Sequence, residues 1–148
     1  MFAMSQAFAS HETINLPPDA VWTRLTDWSA APDWMPGVSD SKAEGTLAVG
    51  TQLRFTARGK ERVCEVTELA AGRSITLTSR VGRTRADYRY SLTPLGGGST
   101  GLDLVATVTT DGAMKLLAPV IRKAIAREDA VQLTNFKKSI EGAPTDAG

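Results

Sequence analysis

The sequence is poor in the residues that form disulfides and metal sites. Cys64 is the only cysteine and His11 the only histidine among 148 residues. An intrachain disulfide is therefore impossible, and a structural zinc site, which draws on several such ligands, is not expected. A chain with a single thiol suits a reducing compartment, so the cytoplasm is the expected location. We expect no metal and no other cofactor.

The sequence also lacks a strong excess of charge and a long apolar run. Its formal net charge is +1 at pH 7, which gives no general reason to expect nucleic acid or a bulk membrane surface as a partner. No segment approaches the roughly 20 apolar residues of a membrane span. The N-terminus, MFAMSQAF, lacks the basic region and long apolar stretch of a secretory signal.

The length and composition predict one globular domain over residues 1–148. Hydrophobic residues make up 42% of the chain and charged residues 22%, which is ordinary for a folded domain of this size. We find no internal repeat and no linker. No heptad or interface stripe distinguishes a monomer from a homodimer, so the oligomeric state stays open.

Hydrophobic periodicity predicts an α+β fold. Residues 7–15 form a plausible first strand, and the Pro17-Pro18 pair then begins two short helical segments that end before Pro36-Gly37. Alternating apolar and polar residues predict six further strands, at 38–45, 51–58, 61–69, 73–81, 84–93 and 100–110. A helical apolar face predicts a long C-terminal helix over about 113–141. A curved antiparallel sheet of about seven strands around that helix would bury both apolar faces.

This order of elements and the segment INLPPDAVWTRLTDWSAAPDWMPGV resemble the START-related helix-grip superfamily (SRPBCC). That superfamily contains lipid-transfer domains and polyketide cyclase/dehydrase proteins. The residues that carry the resemblance are Ile14, Pro17, Pro18, Val21, Trp22, Leu25, Thr26, Asp27, Trp34, Pro36, Gly37, Leu133, Phe136, Lys137, Ile140 and Glu141. The resemblance implies a cavity between sheet and C-terminal helix. It implies no single activity, because members bind lipids, quinones, hormones or polyketides and only some are enzymes.

The expected ligand-binding residues lie on the apolar faces of the strands and of the C-terminal helix. They are Trp34, Phe55, Tyr88, Tyr90, Met114, Leu117, Ile121, Glu128 and Gln132. Three residues of this set, Glu128, Tyr88 and Tyr90, are weak candidates for proton transfer, since no spacing selects a catalytic group. Alternatively, Glu128, Gln132 and Asn135 face solvent, and the two tyrosines only pack in the core. A catalytic role for His11 is not indicated.

The meander topology places Trp34 at one rim of the expected cavity. Alternate turns of a meander lie at the same end of the sheet, so the turns at Gly59-Lys60 and Gly82-Arg83 should share an end with Trp34. An indole at this rim could pack on an apolar ligand while its N–H reaches water or a polar group. Plain packing is the alternative for Trp34, and it is the expectation for Trp22 and Trp28.

The same end of the predicted sheet carries a cluster of cations, which we call the basic rim. Its members are Arg58, Lys60, Arg62, Arg80, Arg83 and Arg85. Either these side chains are only solvated, or they attract an amphiphile with an acidic group or anionic headgroups.

Three functions fit the sequence. The first is binding of a small hydrophobic or amphipathic molecule, such as a lipid, polyketide or quinone-like compound, in the cavity between sheet and helix. The second is a polyketide cyclase/dehydrase-type enzyme that uses the same cavity. The third is a protein-interaction module of the co-chaperone type. The sequence does not decide whether the chain is an enzyme, and a cavity would favour the first two functions over the third.

Overall fold

A computed structural model describes residues 3–82, 84–110, 118–129 and 131–141. The elements follow the predicted order. Strand β1, Ala3–Ile14, is followed by helix α1, Pro18–Leu25, and a 3₁₀ helix, Trp28–Asp33. The strands β2 to β7 then cover Val38–Ala43, Gln52–Ala57, Lys60–Ala70, Ser74–Val81, Thr84–Gly96 and Ser99–Thr110. The helices α2, Ala118–Asp129, and α3, Gln132–Glu141, make up the described part of the predicted C-terminal helix.

The seven strands form one curved antiparallel sheet in the order β1-β7-β6-β5-β4-β3-β2. Each strand from β2 to β7 pairs with its neighbour in sequence, as in a meander, and β1 closes the order by pairing with β7. The α+β architecture predicted from the sequence is therefore confirmed.

One face of the sheet is concave and carries the core. On β7 the buried residues Leu102, Leu104, Ala106 and Val108 alternate with half-buried residues of the convex face. Both α2 and α3 pack on β1 and β7, and α1 packs on β6 and β7. The helices thus cover one side of the concave face, whereas the 3₁₀ helix packs on β2 at the other edge.

The two ends of the sheet differ in their connections. One end, here called the tip end, carries the β3–β4 and β5–β6 turns and the start of β2, because Val38 pairs with Ala57 and Val81 pairs with Thr84. The opposite end, called the closed end, carries the β4–β5 and β6–β7 turns. The predicted placement of alternate turns at a common end agrees with this register.

Gly37 joins the start of β2 to the β3–β4 turn. Its carbonyl oxygen accepts a hydrogen bond from the Arg58 amide at 2.9 Å. Gly37 has a φ of +74°, and a Cβ atom there would lie 3.1 Å from Cγ of Arg58. Only glycine adopts this conformation without strain while leaving room for the arginine side chain.

The described helices include none that is long and apolar enough to span a lipid bilayer.

Candidate functional site

The concave face is closed at one end and open at the other. Toward the closed end, β3, β5 and β6 carry the buried residues Leu53, Ile75, Leu77, Tyr90 and Leu92. On the same strands and the same face, residues nearer the tip end are only half-buried: Phe55, Ala57, Ser79, Ala86 and Tyr88. We call this second set the open concave surface. Strand alternation fixes both sets on one face, so the change in burial reflects what covers them.

Three aromatic side chains cover the concave face at its closed end. The Trp34 ring lies 5.9 Å from that of Tyr90 and 5.3 Å from that of Phe136, both in edge-to-face geometry. Trp34 follows the 3₁₀ helix, Tyr90 comes from β6 and Phe136 from α3. The aromatic cluster, defined as Trp34, Tyr90 and Phe136, therefore joins three distant segments of the chain.

The position of Trp34 corrects the expectation that it lies at the rim. Its side chain is only 2% exposed. Its ring packs on Tyr90 of β6. Tyr90 lies five residues, or about 17 Å, along that strand from Arg85, which is at the tip end. Although the chain enters β2 near the tip end, the indole points away from that end into the core.

Trp34 also lines a small cavity at the closed end. The volume of this cavity is about 10 Å³, which is room for about one water molecule. Its lining is formed by Leu25, Thr26, Trp28, Trp34, Leu47, Leu53, Ile75, Leu77 and Tyr90. The Nε1 atom of Trp34 is buried and has no hydrogen-bond partner in the described part of the chain.

Gln132 occupies the buried position that one of the two sequence interpretations gave it. It is 5% exposed, and its Oε1 accepts a hydrogen bond of 2.5 Å from the Tyr90 hydroxyl. Asn135, one turn later, is half-buried and donates from Nδ2 to the Trp34 carbonyl at 3.4 Å. The alternative in which these two residues face solvent is therefore wrong for both.

The Tyr90–Gln132 bond provides a test of how α3 is held on the sheet. Tyr90→Phe leaves the buried Gln132 oxygen without this donor, and Gln132→Leu leaves the Tyr90 hydroxyl without this acceptor. Each should lower the free energy of unfolding by about 1–3 kcal/mol, the cost of an unsatisfied buried polar group. Urea unfolding of both single variants and the double variant measures this cost.

The double variant supplies the control for that experiment. It removes both partners together, so it should lose less stability than the two single losses combined. Losses that simply add would show that the hydrogen bond does not couple the two side chains.

At the open end, the structure places Phe55 and Tyr88 on the concave face as expected. The Phe55 ring packs edge-to-face on Trp28 at 5.8 Å, and the Tyr88 ring on Phe8 at 6.4 Å. Ile121 of α2 is half-buried, as is Ile125 four residues later. On α3, Gln132, Leu133 and Phe136 are buried, whereas none of the described side chains of α2 is buried. The described part of α2 is therefore covered less completely than α3.

The basic rim divides between the two faces of the sheet. Arg62 pairs with Phe55 and Lys60 with Ala57, so both cations lie on the concave face and both are exposed. Arg58 lies in the adjoining turn. Arg80 and Arg85 instead lie on the convex face, where Arg80 pairs with Glu65 at 3.5 Å and Arg85 with Asp87 at 3.0 Å. The prediction that these two arginines lie at the rim of the ligand site was wrong. Side chains alternate between the two faces of a strand, and Leu77 and Ala86 point to the concave face, so Arg80 and Arg85 point to the convex face.

The remaining tryptophans serve packing. Trp28 is 7% exposed; its Nε1 donates to the Arg54 carbonyl at 3.1 Å and its carbonyl accepts from Ser41 at 2.6 Å. Trp22 is half-buried against the core. These contacts fix the 3₁₀ helix on the edge of the sheet, as the packing interpretation predicted.

His11 lies on the convex face, away from the cavity. Its Nδ1 is 2.8 Å from Oδ1 of its cross-strand partner Asp103, and both side chains are about half exposed. Among the described residues, no three His, Cys, Asp or Glu side chains are grouped as a metal site requires.

Several expected site residues cannot be placed. Met114, Leu117 and Arg83 lie outside the described residues, as does the side chain of Glu128. Conversely, the sequence-based site omitted Phe136, Ile75 and Leu77, which form the aromatic cluster and the cavity wall. The alternation of Ile75 and Leu77 in their strand was the signal that could have included them.

Comparison with known families identifies the family of this chain. The family described as polyketide cyclase / dehydrase and lipid transport matches residues 5–141. The chain belongs to this family. Its members' shared description combines enzymes and lipid carriers, so membership alone does not fix the activity.

Solved structures with the same fold span nearly the whole chain. An aromatase/cyclase from Streptomyces sp. R1128, Zhui, aligns with a TM-score of 0.73 and 16% identity over 99% of both chains. Truncated norcoclaurine synthase from Thalictrum flavum aligns with a TM-score of 0.71 and 15% identity over 97% of both. A protein from Chromobacterium violaceum reaches 22% identity with a TM-score of 0.63, over 93% of this chain and 97% of its own.

At these identities the likeness shows the fold, and it confirms the helix-grip fold implied by the resemblance. No curated protein matches this chain.

Proposed function

We propose that this family member binds a small hydrophobic or amphipathic molecule between the open concave surface and α2. The observation that carries the proposal is the change in burial along β3, β5 and β6. The apolar residues Phe55, Ala86 and Tyr88 are half-buried. Leu53 and Tyr90, which follow on the same face toward the closed end, are buried. Half-covered apolar surface on a concave face is what a ligand of this kind would cover.

The charges near this surface favour an amphipathic ligand with an acidic group. Lys60 and Arg62 extend from the concave side of β4 and are exposed beside Ala57 and Phe55. A ligand whose body covers Phe55 would bring its outer end close to these cations. An anionic outer end would gain from both, to an extent that depends on salt.

Filling the open concave surface should weaken binding. Ala86→Phe adds a ring to a half-buried position between Ser79 and Val108, where the ligand would lie. We expect the affinity for cis-parinaric acid, a fluorescent fatty acid, to fall by about tenfold or more, which is a loss of about 1.4 kcal/mol. Fluorescence titration measures it.

Val105→Phe is the matched control, because it adds a ring to β7 on the convex face and should leave the affinity unchanged. Wild-type protein that fails to bind the probe, or equal losses in both variants, would contradict the proposal. Native mass spectrometry of the purified chain provides an independent check for co-purified small molecules.

A cyclase/dehydrase-type enzyme that binds its substrate at the same surface is the second candidate. What favours it is the position of Tyr88, a half-buried phenol on the open concave surface that a bound molecule could reach. Tyr90 is a weaker choice for proton transfer, because its hydroxyl is buried and donates to Gln132. An interaction module gains no comparable support: the convex face carries paired polar side chains such as Thr67, Thr78 and Asp87.

A further inference from the structure

The indole N–H of Trp34 is a buried hydrogen-bond donor without an acceptor. The side chain is 2% exposed, and Nε1 has no partner in the described part of the structure. Most buried polar groups in folded proteins are paired, because leaving one unpaired costs free energy. The nearby Trp28 follows that rule, since its Nε1 donates to the Arg54 carbonyl. The unpaired Trp34 N–H therefore requires an explanation.

No described group that lines the cavity beside Trp34 accepts a hydrogen bond from its N–H. Leu25, Leu53, Ile75 and Leu77 supply apolar walls. The two hydroxyls in the lining bond to other partners: that of Thr26 donates to the Trp22 carbonyl at 2.7 Å and that of Tyr90 donates to Gln132. An acceptor for Trp34 would have to come from outside the described chain.

The size of the cavity limits what that acceptor can be. About 10 Å³ admits one oxygen-sized group. A water molecule would fit there and could accept from the Trp34 N–H. An oxygen atom covalently attached to an apolar body can take the same place, because it accepts the same hydrogen bond while the body covers the apolar walls.

The chemistry of the donor and the walls narrows the ligand class further. An indole N–H donates and cannot accept, so the ligand atom must be an acceptor. An ionised carboxylate among leucine and isoleucine side chains would pay a large desolvation cost. A neutral carbonyl meets both conditions.

We propose that Trp34 donates a hydrogen bond to a neutral carbonyl oxygen at the inner end of the ligand. The ligand body would extend from Leu77 past its cross-strand partner Tyr88 onto the open concave surface. Ketones, quinones and esters would thereby be selected over hydrocarbons of the same shape. This inference rests on the proposed function and specifies the chemistry of its ligand.

A pair of probes that differ in one atom tests the inference. 2-Acetylnaphthalene carries a carbonyl oxygen where 2-isopropenylnaphthalene carries a CH₂ group of similar shape. We expect wild-type protein to bind the ketone about three- to tenfold more tightly than the alkene, the range of one net hydrogen bond. In Trp34→Phe, which lacks the donor, the two affinities should become equal. Isothermal titration measures all four.

The four affinities separate the possible outcomes. If Trp34 only packs on the ligand, Trp34→Phe weakens both probes by the same factor, and the inference is wrong. If wild-type protein prefers neither probe, it is also wrong, while the proposed function stands. If wild-type protein binds cis-parinaric acid but neither naphthalene, the inference is wrong and the proposed function stands. If it binds none of the three probes, both fail.

A measurement on wild-type protein covers the case in which Trp34→Phe does not fold. In a ¹H–¹⁵N spectrum, the Trp34 indole signal can be assigned from its proximity to the Tyr90 and Phe136 rings. The ketone should move this indole proton downfield, as a new N–H···O bond requires, and the alkene should not. The Trp28 indole, already bonded to Arg54, is the internal control. Equal shifts with both probes would overturn the inference.

Discussion

Phe136→Ala should lower the free energy of unfolding by about 3–5 kcal/mol, the range for removing a large aromatic side chain from a core. Phe136 is fully buried and its ring packs on Trp34 at 5.3 Å. It lies on α3, whereas Trp34 follows the 3₁₀ helix, so the truncation opens a cavity where two separate segments meet. Urea unfolding followed by circular dichroism measures the loss.

Val120→Ala on α2 is the control for this experiment. Val120 is 66% exposed, so its truncation should change stability by no more than about 0.5 kcal/mol. A loss below about 1 kcal/mol for Phe136→Ala would mean that the aromatic cluster does not hold the core together at the closed end. That result would also weaken the interpretation of the unpaired Trp34 N–H, which depends on a tightly packed neighbourhood.

The strands could be predicted because their two faces meet different surroundings. Leu102, Leu104, Ala106 and Val108 alternate with polar or half-buried residues, and the structure buries all four of them. Tyr90 and Leu92 follow the same rule on β6. Period-two alternation is a property of the local chain, so it needs no knowledge of what lies opposite. The order of the meander then follows from the short turns.

The direction of Trp34 could not be obtained in this way. The meander topology places the start of β2 at the tip end, and Val38 does pair with Ala57 there. A residue just before a strand, however, belongs to no alternating pattern. Its side chain is directed by the 3₁₀ helix and by the partners it finds, here Tyr90 and Phe136. Those partners lie 56 and 102 positions away in sequence, so no local signal indicates them.

The basic rim shows an error that alternation could have prevented. Arg85 precedes the inward Ala86, and Arg80 lies three positions after the inward Leu77. Both therefore face the convex side, where acids pair with them. Sharing an end of the sheet is not the same as sharing a face. Lys60 and Arg62 meet both conditions, which makes them the better candidates for contact with an anionic ligand.

The polar network on the convex face accounts for buried residues that do not belong to the core. Thr78 is 1% exposed; its hydroxyl donates to Asp87 at 2.6 Å and therefore accepts from the Thr67 hydroxyl at 2.8 Å. Asp87 in turn pairs with Arg85. These bonds connect β4, β5 and β6 on the side of the sheet opposite the open concave surface. A network of hydrogen bonds of this kind favours one arrangement of the strands.

Cys64 should make stability fall steeply in alkaline solution. The thiol is 5% exposed on the concave side of β4, and burial raises its pKa from 9.0 to about 12. Between these values the unfolded chain has released the thiol proton and the folded chain still holds it. The unfolded state then binds fewer protons, so the free energy of unfolding decreases as pH rises.

The magnitude follows from the size of the shift. One pKa unit corresponds to about 1.4 kcal/mol, so the thiol's contribution to stability, complete below pH 9, should fall by about 4 kcal/mol as the pH approaches 12. Cys64→Ala lacks the titrating group. Urea unfolding of both proteins at pH 8, 9, 10 and 11 should therefore give curves that converge as the pH rises, with the wild-type protein losing stability faster. Subtracting the two curves removes the titration of lysine and tyrosine residues that both proteins share.

Two curves that stay parallel would show that the thiol titrates equally in both states and is not shielded from solvent. A second readout addresses the same burial directly. Only the thiolate reacts rapidly with disulfide reagents, so labelling of Cys64 near pH 8 should be far slower in the folded protein than in urea. Cys64 pairs with Leu53, which lines the small cavity beside Trp34. Slow labelling would thus also show that this region of the concave face excludes water, the condition under which one hydrogen bond from Trp34 can discriminate between ligands.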